Sequence, residues 1–429
     1  MTTLPHHTEK IWLAAGVRTP FAKVDGPLSG LDAIAMSVPV VKHMVELLAG
    51  GKPDFAVWGS VVPNLTWSNI AREILMDAGI DPAVPAYSTV MACSTSMTGV
   101  FEAAGMIDGV TRNLALVGGV DCLSKIQLGL GTSLSDWVRQ FQNARSLGQK
   151  LGHAFDLKLR DVRLYIPAVS NRTTGLSMGE HTEITAKEWK ISREAQDQVA
   201  LESHRNSTAA WDRGFFDDLV IPISDLRRDT IPRKDTSLEK LARLEPAFDR
   251  TSGNGTLTAG NSSPLTDGAS SIWVASDAGL AKLPSATPHV RLVDWEMASV
   301  NFRVEGLLMA PPYAIPRLLQ RNSLTYADIH LWEIHEAFAA QVLAHIKALE
   351  SPEFIRNKAG VTASLGAFPR ERMNPNGGSV ALGHPFGATG ARILSQAVKQ
   401  LSTMPAGQRA IVSICADGGQ GTVALLQAV

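Results

Sequence analysis

Apolar positions recur along the chain at two different periods, and the alternation between them lays out its elements. Residues 10–17 form a nearly continuous apolar run ending at the turn Arg18-Thr19-Pro20, which predicts a buried strand. The runs 55–62 and 113–120 read the same way, the first stopping before Pro63 and the second ending in Gly118-Gly119. Between them Ile70, Ile74 and Leu75 share one face, which predicts a helix over 69–78. Residues 87–92 predict a strand that gives way to the small residues Cys93-Ser94-Thr95-Ser96. Met97, Phe101, Ala104 and Ile107 then repeat at helical spacing. From Ser124 to about Asn254 the pattern is irregular, with helical pieces such as 193–210, and strand character returns at 270–275.

From about His289 the order of the first half comes round again. Residues 329–334 predict a strand, followed by a helix carrying Phe338, Val342, Ile346 and Leu349. The run 379–382 reads as a short strand, then a turn of small residues, then a helix marked by Ile393, Ala397 and Leu401. The runs 410–414 and 422–426 close the chain as strands. Strands alternating with helices in two matching halves imply a duplicated α/β architecture, with 124–254 inserted into the first half.

At 429 residues, 45% hydrophobic and 19% charged, the chain is long enough for two or three packed domains, and its composition excludes disorder, collagen and a disulfide scaffold. A formal net charge of −1 supplies no overall field for DNA or RNA. The local exception lies between Val138 and Arg172, where seven Lys/Arg face two Asp. Three cysteines, Cys93, Cys122 and Cys415, are too few and too odd for a disulfide framework and predict a reducing compartment. Residues 1–10 lack the apolar run of a signal peptide, and no window approaches the ~18 apolar residues of a spanning helix. These features predict a soluble, cytoplasmic protein.

Four strings carry candidate chemistry. Cys93 lies where a strand meets a helix, and there the helix dipole and its unpaired N–H groups are expected to favour a thiolate. The alternative is a small, inert buried thiol. His384 sits among small residues in Gly377-Gly378-Ser379-Val380-Ala381-Leu382-Gly383-His384-Pro385, where backbone can approach a ligand closely. Pro385 suits the first turn of a helix. Matching junctions in two repeated halves would bring Cys93 and His384 together as nucleophile and base. Cys415 opens Cys415-Ala416-Asp417-Gly418-Gly419, whose glycines can turn N–H groups inward as an oxyanion hole requires, and its thiol can donate and accept a proton. His335 ends a strand in Glu333-Ile334-His335-Glu336-Ala337-Phe338-Ala339, from where it can donate to a developing enolate oxygen. His345 lies off the face a second metal ligand would need, so no metal site is expected. Cys122 reads as packing.

Together these strings resemble the signatures of the thiolase family, in order and over almost the whole chain. The resemblance implies a duplicated thiolase fold, two βαβαβαββ halves in a layered α-β-α-β-α arrangement. Residues 1–125 and 255–286 would form the N-terminal half, 126–254 an inserted loop domain for coenzyme A and partner contacts, and 287–429 the C-terminal half. It implies that Cys93 holds the acyl group of a 3-ketoacyl-CoA as a thioester and that His384 accepts the Cys93 proton. Cys415 would protonate the departing acetyl-CoA carbanion, and His335, at a position that is Asn in many thiolases, would hold the enolate oxygen. Coenzyme A is then a substrate, and no cofactor is expected. Ser263 matches the serine that meets the pantetheine, Phe248 and Phe338 match aromatic residues of the tunnel, and Met178 matches a methionine beside the acyl pocket. Arg233 and Lys234 would serve the nucleotide phosphates.

The His-Glu-Ala-Phe-Ala string, Phe386 and the basic segment 137–172 resemble the β subunits of fatty-acid β-oxidation complexes. That likeness implies medium or long acyl chains and contact with a hydratase/dehydrogenase α subunit or a membrane surface. The thiolase resemblance in general implies a homodimer or dimer of dimers. Asp417 departs from the family's glycine or alanine; its backbone N–H would still serve the oxyanion, while its carboxylate would oppose a thiolate. Ser177 replaces a His of short-chain biosynthetic members. The competing readings are an acetoacetyl-CoA-forming biosynthetic thiolase, a ketosynthase-like condensing enzyme, and a non-catalytic acyl-CoA or lipid binder.

Overall fold

In the computed structural model the described residues are 9–156, 158, 160, 162–165, 167 and 169–429, so the reading of 1–8 as a polar, leaderless start lies outside them, as do five positions of the basic segment. The first half runs β1 (Ile11–Arg18), β2 (Ala22–Lys23), α1 (Ala33–Glu46), β3 (Phe55–Gly59), α2 (Ile70–Asp77), β4 (Ala86–Tyr87), α3 (Thr95–Met106) and β5 (Leu114–Asp121). An arm follows, built from β6 (Gly129–Leu130), α4 (Thr132–Asn143), α5 (Leu147–Asp156) and β7 (Leu164–Tyr165), and then α6 (Met178–Glu188) and α7 (Arg193–Asp212). β8 (Thr266–Ala275) completes the half. The second half comprises β9 (His289–Ser299), α8 (Pro311–Arg321), β10 (Leu331–Ile334), α9 (Ala339–Leu349), α10 (Thr389–Ser402), β11 (Arg409–Ala416) and β12 (Gln420–Gln427). Helix starts follow local chemistry: Asp32 accepts from Ala35 N at 2.8 Å to cap α1, and Ser177 and Glu180 form a capping box on α6.

One long sheet runs in the order β10-β11-β12-β9-β1-β8-β5-β3-β4, with β2 beside β8. Its middle is the antiparallel pair β1·β9, and the pairings outward from it match on the two sides. β1·β8 and β9·β12 are antiparallel, as are β8·β5 and β12·β11. β5·β3 and β11·β10 are parallel, and parallel β3·β4 has its counterpart in a parallel bridge between Trp332 and Met373. The duplication expected from the hydrophobic pattern is therefore present in the strand pairing itself.

Three apolar cores stack these elements into layers. Met36, Val40 and Val41 of α1 and Ile70 and Ile74 of α2 cover Trp58, Leu116 and Trp273 on the outer face of the first half. Ile315 and Leu318 of α8 and Val342 and Ile346 of α9 cover Trp332, Ile411 and Val423 in the second. Both inner faces close on α3 and α10, where Val100 and Ile393 share a core with Val57, Val117, Val412 and Leu426. This is the α-β-α-β-α arrangement.

The main differences from the hydrophobic reading have simple causes. Residues 379–382 form a helical turn, not a strand; all four are buried, and a short run buried all round carries no period to tell the two apart. Only Ala86–Tyr87 of 87–92 and its neighbour pair as strand, because the chain must turn to present Cys93. Pro385 precedes a 3₁₀ turn, and α10 begins at Thr389. The insertion is of two kinds: α6 and α7 pack on the body, whereas α4 buries no residue.

Asp229 ties α7 to the end of β1. Its carboxylate accepts from both Arg18 terminal nitrogens at 2.6 and 2.7 Å, from Phe21 N and from Trp211 Nε1, with both charged side chains buried. Removing one partner strands the other charge. Asp229→Ala should therefore cost roughly 3–5 kcal/mol in urea unfolding, and the double change Arg18→Met with Asp229→Leu should cost distinctly less. Equal costs would show that the pair carries no such penalty.

Candidate active site

Cys93 is held on a strained turn. Ala92 has φ 44°, a left-handed conformation that costs a non-glycine residue about 1–3 kcal/mol and persists only where its surroundings enforce it. Thr95 enforces it: its hydroxyl donates to Ala92 O at 2.7 Å and accepts from Met91 N at 2.9 Å. Ser94, the residue before α3, makes no cap; its hydroxyl pairs instead with Thr422 Oγ1 on β12 at 2.9 Å. The Cys93 sulfur faces its own backbone N–H and that of Asp417.

His384 arrives from the other half. Gly383, at φ 96°, turns the chain, and His384 N donates to Thr266 Oγ1 at 2.7 Å. Gly387 N donates to Asp121 Oδ2 at 2.6 Å, and a side chain at Gly119 would meet Gly387 O at 2.0 Å, so the loop lies flush on β5. His384 Nδ1 lies 2.6 Å from Thr389 Oγ1, which itself donates to Pro385 O at 3.0 Å. The threonine's hydrogen is thus committed, and the network assigns the proton to His384 Nδ1. Nε2 keeps a free lone pair and is buried without a partner.

His335 follows β10, with Nδ1 3.0 Å from Ser379 Oγ and Nε2 buried and unpartnered. The two imidazoles are 4.3 Å apart between ring centres, and Cys93 Sγ and one nitrogen from each lie within 4.8 Å of one another. One sulfur and two imidazoles at this spacing can bind a soft divalent ion or act as nucleophile, base and donor. His345 is elsewhere, bonded to Leu308 O at 2.7 Å. Cys415 is buried close enough to Cys93 that charge on one opposes charge on the other. Glu336 is a structural clamp, accepting from Ser203, Asn374 and Val380.

Burial decides the protonation states. It pushes the Cys93 thiol up to about 12, with Asp417 and then Asp121 adding to the effect and the two N–H groups opposing it. The expectation that the helix end would favour a thiolate is overturned: the N–H groups of Cys93 and Asp417 favour charge on the sulfur, but desolvation outweighs them. Burial, then Arg392, lowers His384 to about 3, and burial holds His335 well below the ordinary histidine value. Burial, then Cys93, raises Cys415 far above an ordinary thiol. The resting site is a neutral thiol facing neutral imidazoles.

Beside Cys93 a cavity of about 160 Å³ is lined mainly by apolar side chains, including Val61, Leu123, Ile126, Val169 and Phe386, with Met178 and Asp417 at its wall. Asp417 Oδ1 accepts from Asn171 Nδ2 at 2.9 Å and from Gly418 N at 2.7 Å. On the Cys415 side, Phe248 and Phe338 meet edge to face at 5.8 Å, and Ser263 N donates to Ala337 O beside them. Arg233 is exposed, with only its backbone engaged, at His204, and Lys234 is paired to Asp212; neither is drawn into the site by a contact. Cys122 packs in the outer core with its thiol on Leu31 O. The sequence reading missed Thr389, Ser379, Arg392 and Asn171. Thr389 could have been found five residues after His384, just past the glycine-rich string; Asn171 had no signal.

The thiolase N-terminal domain model matches residues 11–278 and the thiolase C-terminal domain model residues 286–428. A 3-ketoacyl-CoA thiolase of Yersinia enterocolitica is 37% identical, over 98% of this chain and 97% of its own length. One from Photorhabdus laumondii is 37% identical over 100% and 99%. Among solved structures, an acetyl-CoA acetyltransferase of Bacillus anthracis superposes with a TM-score of 0.81 at 28% identity, covering 98% of this chain and 99% of that one. A thiolase of Ascaris suum in complex with coenzyme A gives 0.77 at 27%, covering 98% and 100%.

The electrostatics of Cys93 can be read without a substrate. Iodoacetamide labelling of Cys93, followed by peptide mass spectrometry between about pH 7 and 10, should still be accelerating at the top of that range. Asp417→Asn keeps the N–H and removes the charge that raises the thiol, so its profile should move to lower pH. Superimposable profiles would remove Asp417 from the electrostatics of the nucleophile.

Proposed function

The chain belongs to the thiolase family, and from that premise we propose that it is a 3-ketoacyl-CoA thiolase, transferring the acyl group of a 3-ketoacyl-CoA to CoA through a thioester on Cys93. The observation that carries this reading is the meeting of Cys93 Sγ, within 4.8 Å, with one nitrogen from each of two buried imidazoles whose Nε2 atoms have no partner. His384 Nε2 takes the thiol proton as sulfur attacks the C3 carbonyl, so Cys93 need not first become a free thiolate. The N–H groups of Cys93 and Asp417 stabilise the resulting oxyanion. Cleavage of the C2–C3 bond leaves the acyl group on Cys93 and an acetyl-CoA enolate, whose oxygen His335 holds and whose carbon Cys415 protonates. CoA then gives its proton to the Cys415 thiolate and attacks the acyl-Cys93 carbonyl; the departing Cys93 sulfur recovers its proton from His384. Each proton returns to its starting group, and we propose that no cofactor takes part.

The acyl chain lies in the apolar cavity past Val61, Leu123, Ile126, Val169 and Met178, and the pantetheine passes Phe248, Phe338 and Ser263, with Arg233 toward the phosphates. A degradative, β-oxidation role is supported by relatives named 3-ketoacyl-CoA thiolase and by Ser177, which is committed to capping α6. Contact with a hydratase/dehydrogenase α subunit is supported by the arm, which exposes Leu130, Leu147, Leu151, Leu164 and Tyr165 among basic residues. The remaining proposals are a homodimer or dimer of dimers, a cytoplasmic location and, as the arm's other occupant, an anionic membrane surface. Among the described residues no helix is long and apolar enough to cross a membrane.

Thiolysis of short- and long-chain 3-ketoacyl-CoA, followed by loss of magnesium-enolate absorbance, tests the reaction. Wild type should turn over and Cys93→Ala should stay at the no-enzyme rate; equal rates would overturn the proposal. Cys415→Ala should still accept an acetyl group from acetyl-CoA onto Cys93, seen as a mass increase, while losing roughly 10²–10⁴-fold in condensation. Undiminished condensation would remove Cys415 from the proton transfer.

A further inference from the structure

The two site histidines are held by different partners, and the difference fixes what each can do. Thr389 can only accept from His384, because its own hydrogen is given to Pro385 O. Ser379 stands differently toward His335. Its Oγ accepts from Arg392 Nη2 at 2.7 Å and lies 3.0 Å from His335 Nδ1. A guanidinium carries donors only, so the serine's hydrogen finds no acceptor on that side. Among the described residues the Ser379 hydroxyl has no other hydrogen-bond partner, which leaves His335 Nδ1 to receive its hydrogen. The proton of the neutral ring then sits on Nε2, the buried and unpartnered atom of an imidazole that lies beside Cys93.

We propose that Ser379 and Arg392 are positioning residues that hold His335 as the Nε2–H tautomer, so that it presents a hydrogen-bond donor while His384 presents an acceptor. The inference rests on the thiolase reading for its consequence, the donor to an enolate oxygen, but not for the tautomer itself. Arg392 is suited to the part: it is buried on α10, burial lowers it to about 10, and it therefore stays charged at neutral pH. Glu333 and Glu336 lie near enough to favour that charge. A permanent cation behind Ser379 keeps the hydroxyl turned toward the imidazole. The chain Arg392–Ser379–His335 lets a charge that never touches substrate set the polarity of an atom that does.

Long-range ¹H–¹⁵N spectra of protein labelled in histidine test this directly. The His335 signals are assigned by their loss in His335→Asn and the His384 signals by their loss in His384→Asn. His335 should show a protonated Nε2 and bare Nδ1, and His384 the reverse; a proton on His335 Nδ1 overturns the proposal whatever the enzyme's activity. In thiolysis, Ser379→Ala should lower kcat roughly 10–100-fold, the range seen when an imidazole's orienting partner is removed, with KM little changed. Ser379→Thr, which keeps the hydroxyl, should restore most of the loss. An unchanged kcat in Ser379→Ala would also overturn the proposal. Absence of thiolysis in wild type would instead count against the function, with the spectra still deciding the tautomer.

Discussion

At Gly390 a side-chain carbon would stand 2.4 Å from the Met97 backbone nitrogen and 2.8 Å from Ser96 Oγ, so α3 and α10 cross as closely as they do only because that position is bare. Ser96 Oγ accepts from Ala391 N at 2.9 Å across the same crossing. Cys93 lies just before Ser96 and His384 just before Gly390, so the contact of the helices is also the contact of the two junctions. A second bare position, Gly119, lets the His384 loop lie against β5. The duplication places the junctions near the pseudo-twofold axis, and these small residues close the remaining distance.

Burial governs the electrostatics around this contact: both imidazoles and Cys415 are buried, while Cys93 is partly exposed toward the cavity. A thiolate or an imidazolium in this interior would lose its hydration, so both groups rest neutral. The site cannot rely on a standing ion pair of the kind found in more exposed cysteine enzymes. It relies on direction: fixed donors aimed at the sulfur, a fixed acceptor on His384, and hydroxyls whose own hydrogens are already committed. Such groups need no reorganisation when charge develops, which is where preorganised sites gain most.

How far this was legible beforehand differs by level. Cys93, His384, Cys415 and His335 stood out because each sits at or near the end of an apolar run, and because the four strings occur together in the order of one family's signatures; the run before His384 is a helical turn and Cys415 lies inside β11. The layered fold was legible because alternating periods in two halves have few ways to pack. The helical turn 379–382 was misread because burial on every side erases the period. The thiolate expectation failed because sequence shows a helix end but not how much water reaches it. Ser379, Thr389 and Asn171 are ordinary polar residues whose role exists only in who faces whom. The cavity wall comes from separate loops, around Val61, Leu123 and Val169, with no shared spacing to mark it.

Asp417 is where these levels meet. Its N–H supports the sulfur and its carboxylate opposes charge on it, which looks contradictory for a residue beside a nucleophile. The two effects act on different species. The carboxylate penalises a free thiolate, but not the neutral thiol or the neutral thioester. The N–H acts most strongly on the oxyanion that forms between them. If the proton leaves for His384 as the carbon–sulfur bond forms, negative charge passes from sulfur to the carbonyl oxygen without resting on the sulfur. Asn171, by holding Oδ1 at 2.9 Å, ties the carboxylate to the inserted segment that also supplies Val169 and Ser170 to the cavity wall. The insertion thus bears on the chemistry as well as on the cavity: its Asn171 seats the carboxylate whose charge raises the Cys93 thiol.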